Sequence, residues 1–201
     1  IQSLFKQHNK IISELVRTER QNEVLIEIKK KYGELNNVLE EISLQGELPL
    51  RALDEVASFG EQLSAFVINE AINSQKNNCR FIDARALIKT DDNFGSANVN
   101  TEKTSELIST YFKNYSGLSV MGGFIASTDG GITTTLGRGG SDYTASIVGA
   151  ALDVDAIEIW TDVDGIMTAD PRKVPNAISI RNISYEEAIE LANFGAKVIH
   201  P

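Results

Sequence analysis

The sequence of 201 residues contains one cysteine, Cys79, and two histidines, His8 and His200. A single thiol forms no intrachain disulfide, which fits a reducing compartment, and three such side chains without ligand spacing make no conventional His/Cys zinc site. All three read as structural. No apolar run approaches the roughly 20 residues of a bilayer span, and no secretory leader is visible, so a cytoplasmic location is the expectation. Basic residues are also few: 19 Lys and Arg stand against 28 Asp and Glu, a formal charge of −9. That balance argues against partners recognised by bulk positive charge, such as nucleic acid or acidic lipid. It still permits a local basic pocket for an anion.

Common catalytic signatures are missing too. No Gly-Lys pair occurs, which removes the G-x-x-x-x-G-K-[ST] phosphate loop. The G-x-G-x-x-G dinucleotide pattern breaks because Asp142 occupies its third glycine position. Neither H-E-x-x-H nor G-x-S-x-G is present. These gaps disfavour a P-loop ATPase, a Rossmann dehydrogenase, a zincin and an α/β-hydrolase.

What is present is an ordinary globular composition, 42% hydrophobic and 23% charged, without low complexity or internal repeats. Glycine divides it: four of fifteen lie before residue 117 and nine fall between Gly117 and Gly149. The first part therefore reads as helical, and the middle as strands and tight loops. Ile1, Leu4, Phe5, Ile11, Ile12, Leu15 and Val16 follow helical spacing, as do Leu25, Ile28, Tyr32, Leu35, Leu39 and Ile42, and together they predict a helical hairpin. A third helix runs from Leu53 to about Asn77, and a fourth carries Leu107, Ile108, Tyr111 and Phe112.

Strands are expected at Arg80–Asp83, Leu118–Met121, Thr133–Leu136 and Ala156–Trp160, with a loop at Asp91–Gly95. Ser141 or Asp142 caps a helix from Tyr143 to Leu152. Ser184 and Glu187 form an S-x-x-E capping box opening a helix that stops at Gly195. This alternation predicts an α/β sandwich, most simply one domain with a helical lobe. Ile1 opens inside an amphipathic pattern and the chain closes just as a new element begins, so a piece of a longer protein is expected.

The strongest local feature is Leu136-Gly137-Arg138-Gly139-Gly140-Ser141-Asp142. Three glycines expose amides before a helix N-terminus, where the helix dipole favours an anion, and Arg138 adds a guanidinium fork. The same run also suits a tight structural turn with Asp142 as its cap. A second feature, Trp160 to Arg172, leaves a predicted strand at its carboxyl end, the place where open α/β sheets bind ligands. It reads equally as a solvated loop, and its Asp-x-Asp-Gly does not complete an EF-hand. Glu61, after Gly60 at an expected helix start, reads as a dipole partner. Lys197, alone in an apolar stretch, reads as a snorkelling or a phosphate-facing lysine.

Taken together, Thr133–Ala145, Trp160–Ile166 with Asp170-Pro171-Arg172, and Phe194–Pro201 resemble the aspartokinases of the amino-acid kinase family. Gly60-Glu61 and Phe81–Arg85 fit in the same order. The resemblance implies a three-layer α/β/α sandwich with a largely parallel central sheet and a helical N-terminal part. Residues 1–201 would form a partial catalytic domain, with 1–116 mainly helical and substrate-side and 117–201 carrying the Gly-rich loop and nucleotide side. The implied reaction moves the γ-phosphoryl group of ATP to the side-chain carboxylate of L-aspartate, on the way to lysine, threonine and methionine. Magnesium would arrive with the nucleotide, and no protein metal site is implied. Glu61, Arg138, Gly139, Gly140, Ser141 and Asp142 would bind the substrate. Thr161, Asp162, Met167, Arg172, Lys197 and Val198 would hold the nucleotide, and Lys197 and Asp142 would serve catalysis. A homo-oligomer without nucleic-acid or membrane partners is also implied.

The sequence departs from the family pattern in three places. The Lys-Phe-Gly-Gly-Thr-Ser strand and a downstream aspartate-binding Thr are not in residues 1–201. The rest of the nucleotide lobe and the regulatory ACT domains are not there either. Met167 stands where the family often has Tyr. The expectation is therefore a chain with little or no turnover alone. The alternatives are a kinase for another small acid such as glutamate, and a non-catalytic nucleotide-binding or assembly module.

Overall fold

The computed structural model describes residues 1–161, 164–170 and 172–193. The chain divides into two compact units, Ile1–Asp153 and Val154–Pro201. In the first, α1 (Gln2–Leu15), α2 (Thr18–Gln45) and α3 (Leu50–Ser74) pack on one another. The helical spacing places Ile12, Val24, Ile28, Leu63 and Val67 on facing stripes, and these bury together as one cluster. Gly46 ends α2 in the left-handed conformation, φ 70°, the geometry glycine supplies without steric cost. The predicted hairpin and third helix are present, and α3 stops at Ser74.

Next come β1 (Cys79–Ile82), α4 (Ala84–Leu87), β2 (Lys89–Thr90), α5 (Thr101–Phe112), β3 (Leu118–Met121), β4 (Ile125–Thr128), β5 (Thr133–Thr135) and α6 (Gly140–Leu152). Strand β1 pairs with β3 in parallel, Phe81 opposite Val120. Strand β2 pairs with β4 in parallel, and β4 with β5 antiparallel, Ala126 opposite Thr134. Side chains alternate across a strand, and β1 uses both faces. Phe81 meets Phe66 of α3 edge to face, with ring centroids 5.8 Å apart. Its neighbour Ile82 joins Leu87, Ile108 of α5 and Ile147 of α6. Helices thus cover both faces of β1, the expected α/β/α layering.

Several expectations change. Strand β1 ends at Ile82, because Asp83 turns to cap α4, accepting a hydrogen bond from the Arg85 amide at 3.1 Å. Helix α6 opens at Gly140 after Gly139, whose φ is 71°, with no side-chain cap. Neither Ser141 nor Asp142 is its cap. Ala156–Trp160 forms no ladder in the described structure and Trp160 is 89% exposed; alternation alone makes no strand without a neighbouring backbone to pair with.

In the second unit, Ile166–Thr168 lies antiparallel to Ile178–Ile180, bridged at Met167 and Ser179. Helix α7 (Tyr185–Asn193) opens with the predicted capping box. The Ser184 amide donates to Glu187 Oε2 at 2.9 Å and the Glu187 amide to Ser184 Oγ at 3.2 Å. These bonds draw the Glu187 pKa below the ordinary carboxylate value. The predicted stop at Gly195 lies outside the described residues.

Candidate functional site

Three chain segments meet where β3 and β5 end. Strand β3 runs into Gly122-Gly123, β5 into the turn 136–139, and α3 brings Glu61 beside them. Glu61 Oε1 accepts a hydrogen bond from the Gly123 amide at 3.0 Å. A Cβ on Gly122 would lie 2.8 Å from Glu61 Cγ, and one on Gly123 would lie 2.9 Å from Cα, Cβ and Oγ of Ser141. The two glycines therefore let the chain after β3 lie directly against Glu61 of α3 and Ser141 in the first turn of α6. Glu61 sits in the middle of α3 rather than at a helix start, so its reading as a dipole partner is replaced by this bond.

The Gly-rich turn has the conformation its sequence requires. Gly137 and Gly139 have φ of 75° and 71°, where any side chain is strained. Gly137 also lies against the Gly95 carbonyl, 3.2 Å from where a Cβ would stand. Arg138 is exposed between them and makes no hydrogen bond or ion pair with a described residue. The Asp142 carboxylate, in the first turn of α6, is likewise without a hydrogen bond to a described residue. Among the described residues a guanidinium and a carboxylate thus stand without partners at a helix N-terminus.

Phe124 was not legible as part of this arrangement. It adopts φ 50°, which costs a non-glycine residue on the order of 1–3 kcal/mol. The surroundings enforce it. Its amide donates to Thr144 Oγ1 at 3.0 Å, and its carbonyl accepts from the Leu136 amide at 2.9 Å. Gly140 leaves the space, since a Cβ there would lie 2.7 Å from Phe124 Cβ. Asp54 was also missed. Buried on α3, it accepts from the amides of Gly95 and Thr135 and from Thr135 Oγ1.

Asp83 and Arg85 work as a joint beneath the site. Arg85 Nη2 donates to Asp83 Oδ2 at 2.6 Å and to Gln62 Oε1 at 2.9 Å, and Nη1 donates to Thr133 Oγ1 at 3.1 Å. One guanidinium thereby ties the start of α4, α3 and β5 together. Burial pushes the Asp83 carboxyl up, but the bonds from Arg85 and its charge more than offset this, and its pKa lies below the ordinary value.

The second unit carries the expected nucleotide residues that are described. Thr161 is exposed, and Met167 is half-buried with its backbone in the bridge to Ser179. Arg172 is 80% exposed and grips Asp170 in two places, Nε to Oδ1 and Nη2 to Oδ2, both at 3.0 Å. The side-chain and amide bonds from Arg172 hold the Asp170 pKa at about 2. Asp162, Lys197 and Val198 lie outside the described residues. The geometry thus brings Glu61 and Ser141 together through Gly123, with Arg138, Gly139, Gly140 and Asp142 in the adjoining turn and helix. Among the described residues no three His, Cys, Asp or Glu side chains are grouped to hold a metal. No helix of the described residues is long and apolar enough to cross a membrane.

Residues 4–201 match the amino acid kinase family. The bifunctional aspartokinase/homoserine dehydrogenase of Buchnera aphidicola subsp. Acyrthosiphon pisum (strain APS) is 41% identical over 175 residues, covering 87% of this chain and 21% of that protein. Lysine-sensitive aspartokinase 3 of Escherichia coli (strain K12) is 40% identical over 175 residues, covering 84% of this chain and 39% of that protein. The crystal structure of E. coli aspartokinase III in complex with aspartate and ADP superposes with a TM-score of 0.86 at 37% identity, over 94% of this chain and 42% of that one. The chain thus spans well under half the length of these relatives. With a match that runs nearly end to end, the chain belongs to the amino acid kinase family.

Proposed function

We propose that the protein carrying this chain is an aspartate kinase, which transfers the γ-phosphoryl group of ATP to the side-chain carboxylate of L-aspartate to give 4-phospho-L-aspartate. The observation that carries this reading is the meeting of Glu61 and Ser141 across Gly123, beside an Arg138 with no partner among the described residues. An acidic amino acid needs both charge signs in its pocket. Arg138 grips a carboxylate bidentately, amides and hydroxyl of the Gly139–Ser141 segment supply neutral donors, and Glu61 and Asp142 receive the ammonium group. The backbone amides of the turn are fixed before substrate arrives, so they stabilise developing charge with little reorganisation.

The substrate carboxylate is itself the nucleophile, so the protein's contribution is positioning and charge stabilisation. Thr161, Asp162, Met167, Arg172 and Val198 hold the nucleotide in this reading, and Lys197 neutralises phosphate charge. The Arg172–Asp170 pair engages Nε and Nη2, and Nη1 is the edge offered to a phosphate. Magnesium would arrive with the nucleotide and supply charge neutralisation at its phosphates. The enzyme works as a homo-oligomer in the cytoplasm. ADP release by the intact protein, measured with L-aspartate, L-glutamate and other small acids, tests the reading. Turnover selective for aspartate is expected, with little or none from residues 1–201 alone. A preference for glutamate, or nucleotide binding without turnover on any acid, overturns it.

A further inference from the structure

We propose that Asp54 is a positioning residue that sets the Gly-rich turn, and through it the grip of Arg138 on the substrate carboxylate. The inference rests on the aspartate-kinase reading of that site. Asp54 is 2% exposed and makes no ion pair with a described residue. Its Oδ2 accepts from the amides of Gly95 at 2.9 Å and Thr135 at 3.0 Å, and its Oδ1 accepts from Thr135 Oγ1 at 2.7 Å. All three donors belong to segments that hold the turn.

Thr135 is the last residue of β5, three before Arg138. Its carbonyl is held as well, by the Ala97 amide at 2.9 Å. Gly95, the other residue bound by Asp54, abuts Gly137 through its carbonyl. One carboxylate therefore fixes both the strand that enters the turn and the loop against which the turn rests. A buried carboxylate without a cation is a costly group to desolvate. All three of its hydrogen bonds go to this junction, which ties it to the position of the turn. Asn at this site conserves the shape: its oxygen accepts the two amides, and its amide group donates to Thr135 Oγ1, which can accept.

The test compares Asp54→Ala, Asp54→Asn and Thr135→Val in the intact protein, by steady-state kinetics and by hydrogen exchange at residues 135–141. Asp54→Ala is expected to raise the KM for aspartate about tenfold or more, with the KM for ATP unchanged and faster exchange in the turn. Asp54→Asn restores most of both. Thr135→Val, which removes one of the three bonds, shifts the aspartate KM in the same direction by less, and it decides the matter if Asp54→Ala does not fold. An unchanged aspartate KM, or equal changes in both KM values, overturns the proposal. If the wild type phosphorylates no acid, the functional reading fails separately, and hydrogen exchange alone judges Asp54: acceleration at 137–141 in the variants supports it, and none overturns it.

Discussion

The Glu61 carboxylate accepts a hydrogen bond from the Gly123 amide at 3.0 Å, beside Gly122, where a Cβ would lie 2.8 Å from Glu61 Cγ. A mid-helix acid is thereby fixed at the ends of β3 and β5, on the far side of Gly123 from Ser141. Two halves of the proposed binding site thus share one residue without a side chain.

Gly123→Ala tests that closeness. The added methyl would stand 2.9 Å from Ser141 Cα, a backbone atom that cannot swing aside. Overpacking of this kind costs about 1–3 kcal/mol. The expected outcome is a lower urea midpoint together with a raised KM for aspartate in the intact protein.

Arg138→Ala separates function from stability. Since the guanidinium makes no bond with a described residue, its loss is expected to change unfolding free energy by no more than about 0.5 kcal/mol. Aspartate binding, measured by calorimetry, is expected to weaken severely. Arg138→Lys restores charge but not the fork, and only partial recovery is expected.

Glu61→Gln keeps an acceptor for the Gly123 amide and removes the negative charge. Folding is expected to be retained, while the KM for aspartate rises because the ammonium group loses a counter-charge. A KM equal to wild type would place the ammonium elsewhere.

The Asp83–Arg85 joint predicts an acid limb in stability. The folded pKa of Asp83 lies below the ordinary value, so its contribution is fully present above the unfolded carboxylate pKa of about 4. It is lost as pH falls through the lower folded value. Urea midpoints measured from pH 6 downward are expected to fall in this window, and Asp83→Asn is expected to remove part of that slope.

These features differ in how openly the sequence carries them. The Gly-rich turn is legible because left-handed backbone and a helix start are local demands that glycine meets locally. The Ser184–Glu187 capping box is legible for the same reason. Glu61 is legible as a residue but not in its setting, since Gly60 looks like a helix boundary and instead sits inside α3 with nothing within 4 Å of a Cβ. Strand β4 escapes notice because Ile125-Ala126-Ser127 is buried on both faces between β2 and β5, and small or hydroxyl residues there leave no alternation. Ala156–Trp160 shows the converse, a good strand pattern without a ladder. Phe124 and Asp54 depend on partners 20 and 81 residues away, and no local pattern announces such bonds.

The central claim is that this site phosphorylates a side-chain carboxylate of aspartate. The most direct measurement incubates the intact protein with ATP, magnesium and L-aspartate in the presence of hydroxylamine, which captures an acyl phosphate as a hydroxamate. Aspartyl hydroxamate is expected in step with ADP, with near-complete loss in Arg138→Ala. ADP formed without hydroxamate, or hydroxamate formed from glutamate in preference to aspartate, would contradict it.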